Sequence, residues 1–341
     1  MSAPSNTILA IETSCDDTAA AVLKDGRICS NIISSQTIHN EWGGIVPELA
    51  SREHVKAIGY IVDAAMTEAG CQYRDLSAIA VTNGPGLPGS LLVGTQFAKG
   101  LALRLSLPLI PVHHIEAHVY SGFMEEPSLT FPVVSLVVSG GHTAMFYVES
   151  WQSYTMIGST RDDAAGEGFD KVAKMLGLGY PGGPHIDRLA AVGDATAFAF
   201  PRGLRGEAGY DFSFSGLKTA VRREVQKHQQ QHTELDQTFV NNVAASVQRA
   251  IVDVLVQKTV AAAEHYGVSR IVVAGGVSAN SELRSTMQAA CDSRSWTFVA
   301  PRGTYCVDNA AMIGYVANQK ILAGQTGTML FGIEPKALRA R

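Results

Sequence analysis

Two stretches of this chain repeat one order of events: an apolar strand, a short loop of polar or small residues, and a second extended run that returns. The first lies near residues 8–23, within TILAIETSCDDTAAAVL. The second lies near residues 133–148, where FPVVSLVV passes through Ser139-Gly140-Gly141-His142-Thr143 into Ala144–Val148. The identities hardly match, so the repeat is one of architecture, and it predicts two α/β units of similar order. After the first, Lys24-Asp25-Gly26 makes a turn into an extended Ile28–Ile33. A helical pattern follows over about Val46–Ala69, then a strand at Ala78–Thr82 and a second helix over about Ser90–Leu105. Pro108 stops that helix, and Ile110–Val112 is extended again. In the second half a helix over Thr238–Tyr266 carries Phe239, Val243, Val247, Ile251 and Val254 on one face and ends at Gly267, and Arg270–Ala274 runs as a strand into Gly275-Gly276. The expected subdomains are 1–131 and 132–341, with the last helix able to pack back on the first and a cleft between them. Ligands in such sheets sit at strand carboxyl ends.

Apolar residues make 46% of the 341 and charged residues 17%, enough for buried cores and against disorder. The net charge of −4 is not that of a self-sufficient nucleic-acid binder, so any RNA contact needs a local basic surface or a partner. The five cysteines (Cys15, Cys29, Cys71, Cys291, Cys306) are scattered, with no C-x-x-C pair, and read as reduced thiols. No apolar run is expected to cross a bilayer, and MSAPSNTILAIE does not read as a secretory signal. The expectation is a cytoplasmic protein with no membrane partner.

His114-Ile115-Glu116-Ala117-His118 carries the sharpest chemistry. Residues four apart share one helix face, so His114 and His118 can offer two imidazoles to one cation, whereas His113 points elsewhere. Both could instead fill polar corners of a core. Asp308, after a glycine-containing loop and before an apolar helix, is the chosen third ligand; its alternative role is a helix N-cap. Two histidines and a carboxylate suit Fe²⁺, Zn²⁺ or Mn²⁺. A zinc peptidase would place glutamate directly after the first histidine. Here that position is Ile115, and Glu116 is rotated away by about 100°. Glycine-rich loops at Asn83–Gly89, Ser139–Thr143, Gly182-Gly183 and Gly275-Gly276 expose backbone amides, though tight turns use glycine too. No string fits G-x-x-x-x-G-K-[ST], and no clean dinucleotide fingerprint opens the first helix.

Ile11–Thr18 (IETSCDDT), Gly44–Glu48 (GIVPE), Gly84-Pro85-Gly86 and the His114/His118 pair closely resemble the bacterial TsaD family, whose relatives are called Kae-type. Ser139–Thr143, Gly166–Asp170, Tyr180–Asp187, Phe212–Lys218, Gly275–Asn280 and Asp308-Asn309 extend the match in order, from about Ile8 to Gly332. Asp17 stands where many members carry glutamate. The resemblance implies a duplicated actin/hexokinase-like fold. It also implies transfer of a threonylcarbamoyl group from threonylcarbamoyl-AMP to N6 of adenosine 37 in tRNAs that read codons beginning with A. It implies one divalent ion per subunit, Fe²⁺ before Zn²⁺, on His114, His118 and Asp308. Substrate contacts would be Val137, Val138, Ser139, Gly140, Gly141, Asp170, Gly183, Asp187 and Asn280, with no covalent nucleophile. The implied partners are tRNA, a TsaB-like paralogue and a TsaE-like ATPase, the pairing surface falling on the helices around Arg52–Ala65 and Ser90–Leu105. The small-residue stripe Gly94/Ala98/Ala102 suits a close helix approach there or a seat against the sheet.

Arg202, Arg205, Lys218, Arg222 and Arg223 form a basic cluster suited to RNA phosphates, or else a solvated face. The competing activity is an ATP-dependent small-molecule kinase of the same fold, with Glu12, Asp16 or Asp17 as base; such an enzyme has no need of a two-histidine ion site.

Overall fold

The computed structural model describes residues 6–42, 44–232, 234–325 and 327–336. The chain divides into two compact units: the first takes the chain up to Glu125 and again from Val307, and the second takes Glu126–Cys306.

In the first unit, β1 (Thr7–Glu12), β2 (Asp17–Lys24) and β3 (Arg27–Ser35) run antiparallel to one another. β4 (Ala78–Gly84) and β5 (Leu109–His113) then add to β1 in parallel, giving the order β3-β2-β1-β4-β5. Helices α1 (Pro47–Glu68) and α2 (Pro88–Leu105) make the crossovers, each opening with proline in its first turn. The short α3 (His114–Tyr120) and α4 (Gly122–Glu125) follow β5.

The second unit repeats this plan. Antiparallel β6 (Val133–Val138), β7 (Thr143–Ser150) and β8 (Ser153–Ser159) are joined by parallel β9 (Arg270–Ala274) and β10 (Thr297–Val299), in the order β10-β9-β6-β7-β8. Counting from each unit's own first strand, the two sheets have one topology. The helices of this unit are α5 (Ala165–Met175), α6 (Gly182–Ala190), α7 (Ser215–Gln231), α8 (Gln237–His265) and α9 (Ser281–Asp292). The chain then returns to the first unit for α10 (Ala310–Leu322).

All six residues of β1 are buried, between α1 and α2 on one face and α10 on the other, and all six of β6 are buried too; that is why these segments read as unbroken apolar runs. Leu9 and Ile11 point into a core with Ile58, Val62, Ala98 and Ala102 from α1 and α2. Side chains alternate along a strand, so Ala10 faces the other way, toward α10. There a Cβ on Gly314 would stand 2.3 Å from Leu23 Cδ1 and 3.1 Å from Ala10 Cβ. The stripe on α2 likewise faces inward, with Gly94 against Thr13 and Ala98 and Ala102 in the core.

Among the described residues only α8 is long and apolar enough to cross a bilayer, which corrects the reading that no segment reaches that length. Of its apolar window, 78% is buried inside the protein, as befits the central helix of a core. Gly314→Val has no room to relax and should destabilise the protein by about 1–3 kcal/mol through overpacking. Chemical denaturation would register this as a lower midpoint at unchanged slope.

Candidate metal centre

β5 runs straight into α3, and His113 marks the join by accepting a hydrogen bond from the Glu116 amide. His114 and His118, one turn apart, are both buried. Their rings stand edge to face, with centroids 4.7 Å apart. Asp308 arrives from the opposite end of the sequence, just before α10. Asn309, not Asp308, caps that helix, its side chain accepting from the Met312 amide, which leaves the Asp308 carboxylate free for other work. Asp308 Oδ1 lies 3.0 Å from His118 Nε2 and 3.4 Å from His114 Nε2.

Glu12, at the carboxyl end of β1, completes the arrangement. Its Oε2 is 3.0 Å from His114 Nδ1, the nitrogen facing away from Asp308. The Ser14 amide and the Thr82 hydroxyl also donate to this carboxylate. A carboxylate behind a ligating imidazole fixes its tautomer and turns its other nitrogen toward the cation. Glu116, by contrast, is paired with Lys320 at 2.8 Å and is engaged away from the centre, which agrees with the case against a peptidase.

Charge explains the stability of this cluster. Burial alone would push the Asp308 carboxyl up, but His114 and His118 overcome it and hold it well below the carboxylate range. Glu12 is lowered too, the pull of His114 outweighing its burial. Burial disfavours a charged His114, yet Asp308 and Glu12 hold that imidazole well above its ordinary value. His118, by burial and beside His114, is lowered. Two carboxylates thus face one imidazolium, and a divalent ion replacing its proton would neutralise both. The donors fit such an ion: one ligand atom from each of His114, His118 and Asp308 lies within 4.8 Å of the others. His118 Nδ1 is buried with no hydrogen-bond partner among the described residues.

The loop from Ser14 to Asp17 borders this centre. His54 holds it, with Nδ1 2.8 Å from Thr18 Oγ1 and Nε2 3.0 Å from the Cys15 carbonyl. The Asn83–Gly89 loop packs on it so tightly that a Cβ on Gly86 would stand 2.3 Å from the Ser14 carbonyl oxygen, so glycine here serves packing. Burial raises Asp16 and pushes Asp17 up to about 7, with Asp16, Asp308 and Glu12 adding to the latter. Burial also raises the Cys15 thiol, which is therefore not a thiolate.

The other expected site residues lie in the second unit. Val137 and Val138 end β6, and Ser139, Gly140 and Gly141 form the loop to β7. The Ser139 amide is used within the loop, on the His142 carbonyl, while Cβ atoms on Gly140, Gly141 and Gly183 would meet nothing within 4 Å, leaving open space for a ligand. Asp170, on α5, accepts from the Gly182 amide at the start of α6. Its neighbour Lys171 bonds Asp163 and Glu167. Asp187 and Asn280 meet directly: Asn280 Nδ2 is 3.1 Å from Asp187 Oδ1, and the Ser281 hydroxyl donates to the same oxygen. Asn280 also caps α9 and reaches Gln248. The structure therefore joins α6, α8 and α9 through polar groups that the sequence shows only as separate residues. Of the basic cluster, Arg202 is tied to Asp253 and Arg205 to Gln257, whereas Lys218, Arg222 and Arg223 stand exposed on α7.

Two matched sheets, each a three-stranded meander extended by parallel strands, define the actin/hexokinase-like class. The (R)-2-hydroxyglutaryl-CoA dehydratase component A of Acidaminococcus fermentans superposes with TM-score 0.54 at 14% identity, over 94% of this chain and all of that one. HypF of T. kodakarensis gives TM-score 0.62 at 14% identity, over 94% of this chain and 48% of that one. Residues 27–315 match the family described as TsaD, tRNA N6-adenosine threonylcarbamoyltransferase. The chain belongs to that family. The tRNA N6-adenosine threonylcarbamoyltransferase of Prosthecochloris aestuarii is 52% identical over 97% of this chain and 98% of its own length. That of Chlorobaculum tepidum is 53% identical over 93% of each.

Glu12→Gln keeps the hydrogen bond to His114 in shape but removes its charge. It should weaken metal affinity about 10–100-fold, read by metal titration with plasma mass spectrometry, against near-complete loss in His118→Ala or Asp308→Ala. In metal-stripped protein Asp17 binds more protons folded than unfolded, so its burial costs stability as pH rises from about 4 toward 7. Asp17→Asn should therefore melt above the wild type at pH 8, and the gain should be absent at pH 4.

Proposed function

We propose that this chain transfers the threonylcarbamoyl group of threonylcarbamoyl-AMP to N6 of adenosine 37 in tRNAs reading A-starting codons, and that it works in the cytoplasm. The observation that carries the reading is the coincidence of the family match over residues 27–315 with a His114/His118/Asp308 set whose imidazoles are buried and backed by Glu12. Threonylcarbamoyl-AMP is a mixed anhydride, so the adenosine amine can attack its carbonyl carbon directly while AMP departs. No enzyme nucleophile is needed, in keeping with a Cys15 thiol that burial keeps protonated.

A divalent ion on His114, His118 and Asp308, Fe²⁺ before Zn²⁺, supplies Lewis acidity when bound. Glu12 keeps the His114 ring turned to receive it. The Val137–Gly141 loop, with Gly183, leaves backbone open to phosphate or carbonyl oxygen, and Asp170, Asp187 and Asn280 serve the ribose and acyl ends. Orientation of two substrates and stabilisation of developing negative charge are then the main contributions of the protein. A small-molecule kinase fits less well, because it has no need of a two-histidine ion site and one of its three candidate bases, Glu12, is already committed to His114.

A TsaB-like paralogue would pair on α1 and α2, where Val55, Tyr60, Leu92 and Leu103 are exposed beside a shallow cavity of about 450 Å³ that Val93 and Phe97 help line. A TsaE-like ATPase completes the assembly. Lys218 and Arg222, exposed on α7, would meet tRNA phosphates.

Incubating the chain and these partners with threonine, bicarbonate, ATP and unmodified tRNA should yield threonylcarbamoyladenosine by mass spectrometry of the nucleosides. A complete system that makes none would overturn the reading. His114→Ala should lower the yield at least 100-fold while leaving the folded spectrum intact. Lys218→Glu with Arg222→Glu should weaken tRNA binding and flatten its dependence on salt.

A further inference from the structure

A second cavity lies wholly within the second unit, between the Phe198–Pro201 segment and α7, with a volume of about 400 Å³, in the range of small-ligand sites. One wall is aromatic. Phe198 and Phe200 stack at 5.6 Å with planes 20° apart, and Phe239 braces Phe198 edge-on. That wall is held rigidly. The Phe198 amide donates to Ser246 Oγ, and Arg202, clamped by Asp253, donates to the Phe200 carbonyl. Arg202, read from the sequence as a phosphate contact, is thus part of the support for the wall.

The opposite wall is one face of α7, where Gly216, Thr219, Ala220 and Arg223 recur at helical spacing and the small residues leave the space open. Arg223 and Glu224 stand at its end, and neither has an ion-pair or hydrogen-bond partner among the described residues. Lys218, Arg222 and Lys227 lie exposed on the same helix and are equally unpaired. A half-buried aromatic ring, Phe198, beside a guanidinium without a partner among the described residues, along a helix of exposed cations, suits an unstacked nucleotide of an RNA strand.

We propose that this cavity takes one unpaired nucleotide of the tRNA, its base against the half-buried Phe198, which Phe200 backs from the core, its phosphate on Arg223 and its amino edge toward Glu224. The proposal rests on the tRNA reading given above. It goes beyond the phosphate contacts of Lys218 and Arg222 by adding a base-binding site.

Stacking and charge separate by their dependence on salt. Thr219 is exposed, so Thr219→Trp should plug the cavity without disturbing the core, and equal melting temperatures check this. With an unmodified tRNA transcript and the full chain in its reconstituted assembly, Thr219→Trp should weaken binding about tenfold, within what one stacked base supplies, at an unchanged slope of affinity against salt. Arg223→Gln should reduce that slope by about one contact. If Thr219→Trp binds within twofold of the wild type while Lys218→Glu with Arg222→Glu binds weakly, the cavity proposal falls and the charged helix stands. If both variants bind as the wild type does, the tRNA surface on α7 falls as well. Should Thr219→Trp melt lower, Ala220→Met plugs the same space, with the same tenfold expectation and the same reversal.

Discussion

Glu12 and His114 are buried side by side in the first unit with the half-buried Asp308 against them, and burial of charge is tolerated only where opposite charges and hydrogen bonds compensate it. That requirement organises the surrounding structure. β1 must end where Glu12 can meet the imidazole, β5 must pass without a loop into α3, and α10 must begin two residues after Asp308. Thr82 at the end of β4 and Ser14 in the first loop are drawn in as donors to Glu12. The sheet supplies the rigidity: its central strands are covered on both faces, so the carboxyl ends that carry these groups do not move independently.

Much of this was legible because some signals are local. The four-residue spacing of His114 and His118 is a property of one helical turn, and the doubled strand–loop–strand order announces both sheets before any pairing is known. The long face of α8 and the glycine that ends it are equally local. Strand β8 escaped notice because it is a half-exposed sheet edge with no strict alternation. What stayed hidden is pairing across distance. Glu12 meets His114 from 102 residues away and Asp308 meets His118 from 190, and nothing near either carboxylate in sequence announces the partner. Asp308 was legible as a residue before a helix, but only the structure gives the cap to Asn309 and so frees Asp308. In the second unit Asp187 and Asn280 were separate candidates, and their mutual hydrogen bond is a product of folding.

The two units divide the chemistry by the kind of group they offer. The first presents charged side chains already compensated by one another, a setting for a cation. The second presents bare backbone beside Gly140, Gly141 and Gly183 and a polar junction of three helices, a setting for oxygen-rich ligands. One topology serves both because strand carboxyl ends can display either kind of group.

The return of the chain to the first unit sets an order of events in synthesis. The first 125 residues emerge early, yet the face of β1 and β2 that Gly314 covers stays bare, and His118 lacks its carboxylate, until residues beyond 307 have left the ribosome. The second unit, contiguous from Glu126 to Cys306, is complete before then. Completion of the candidate ion site is therefore tied to the last part of the chain to appear, so that an interrupted product holds His114 and His118 without Asp308.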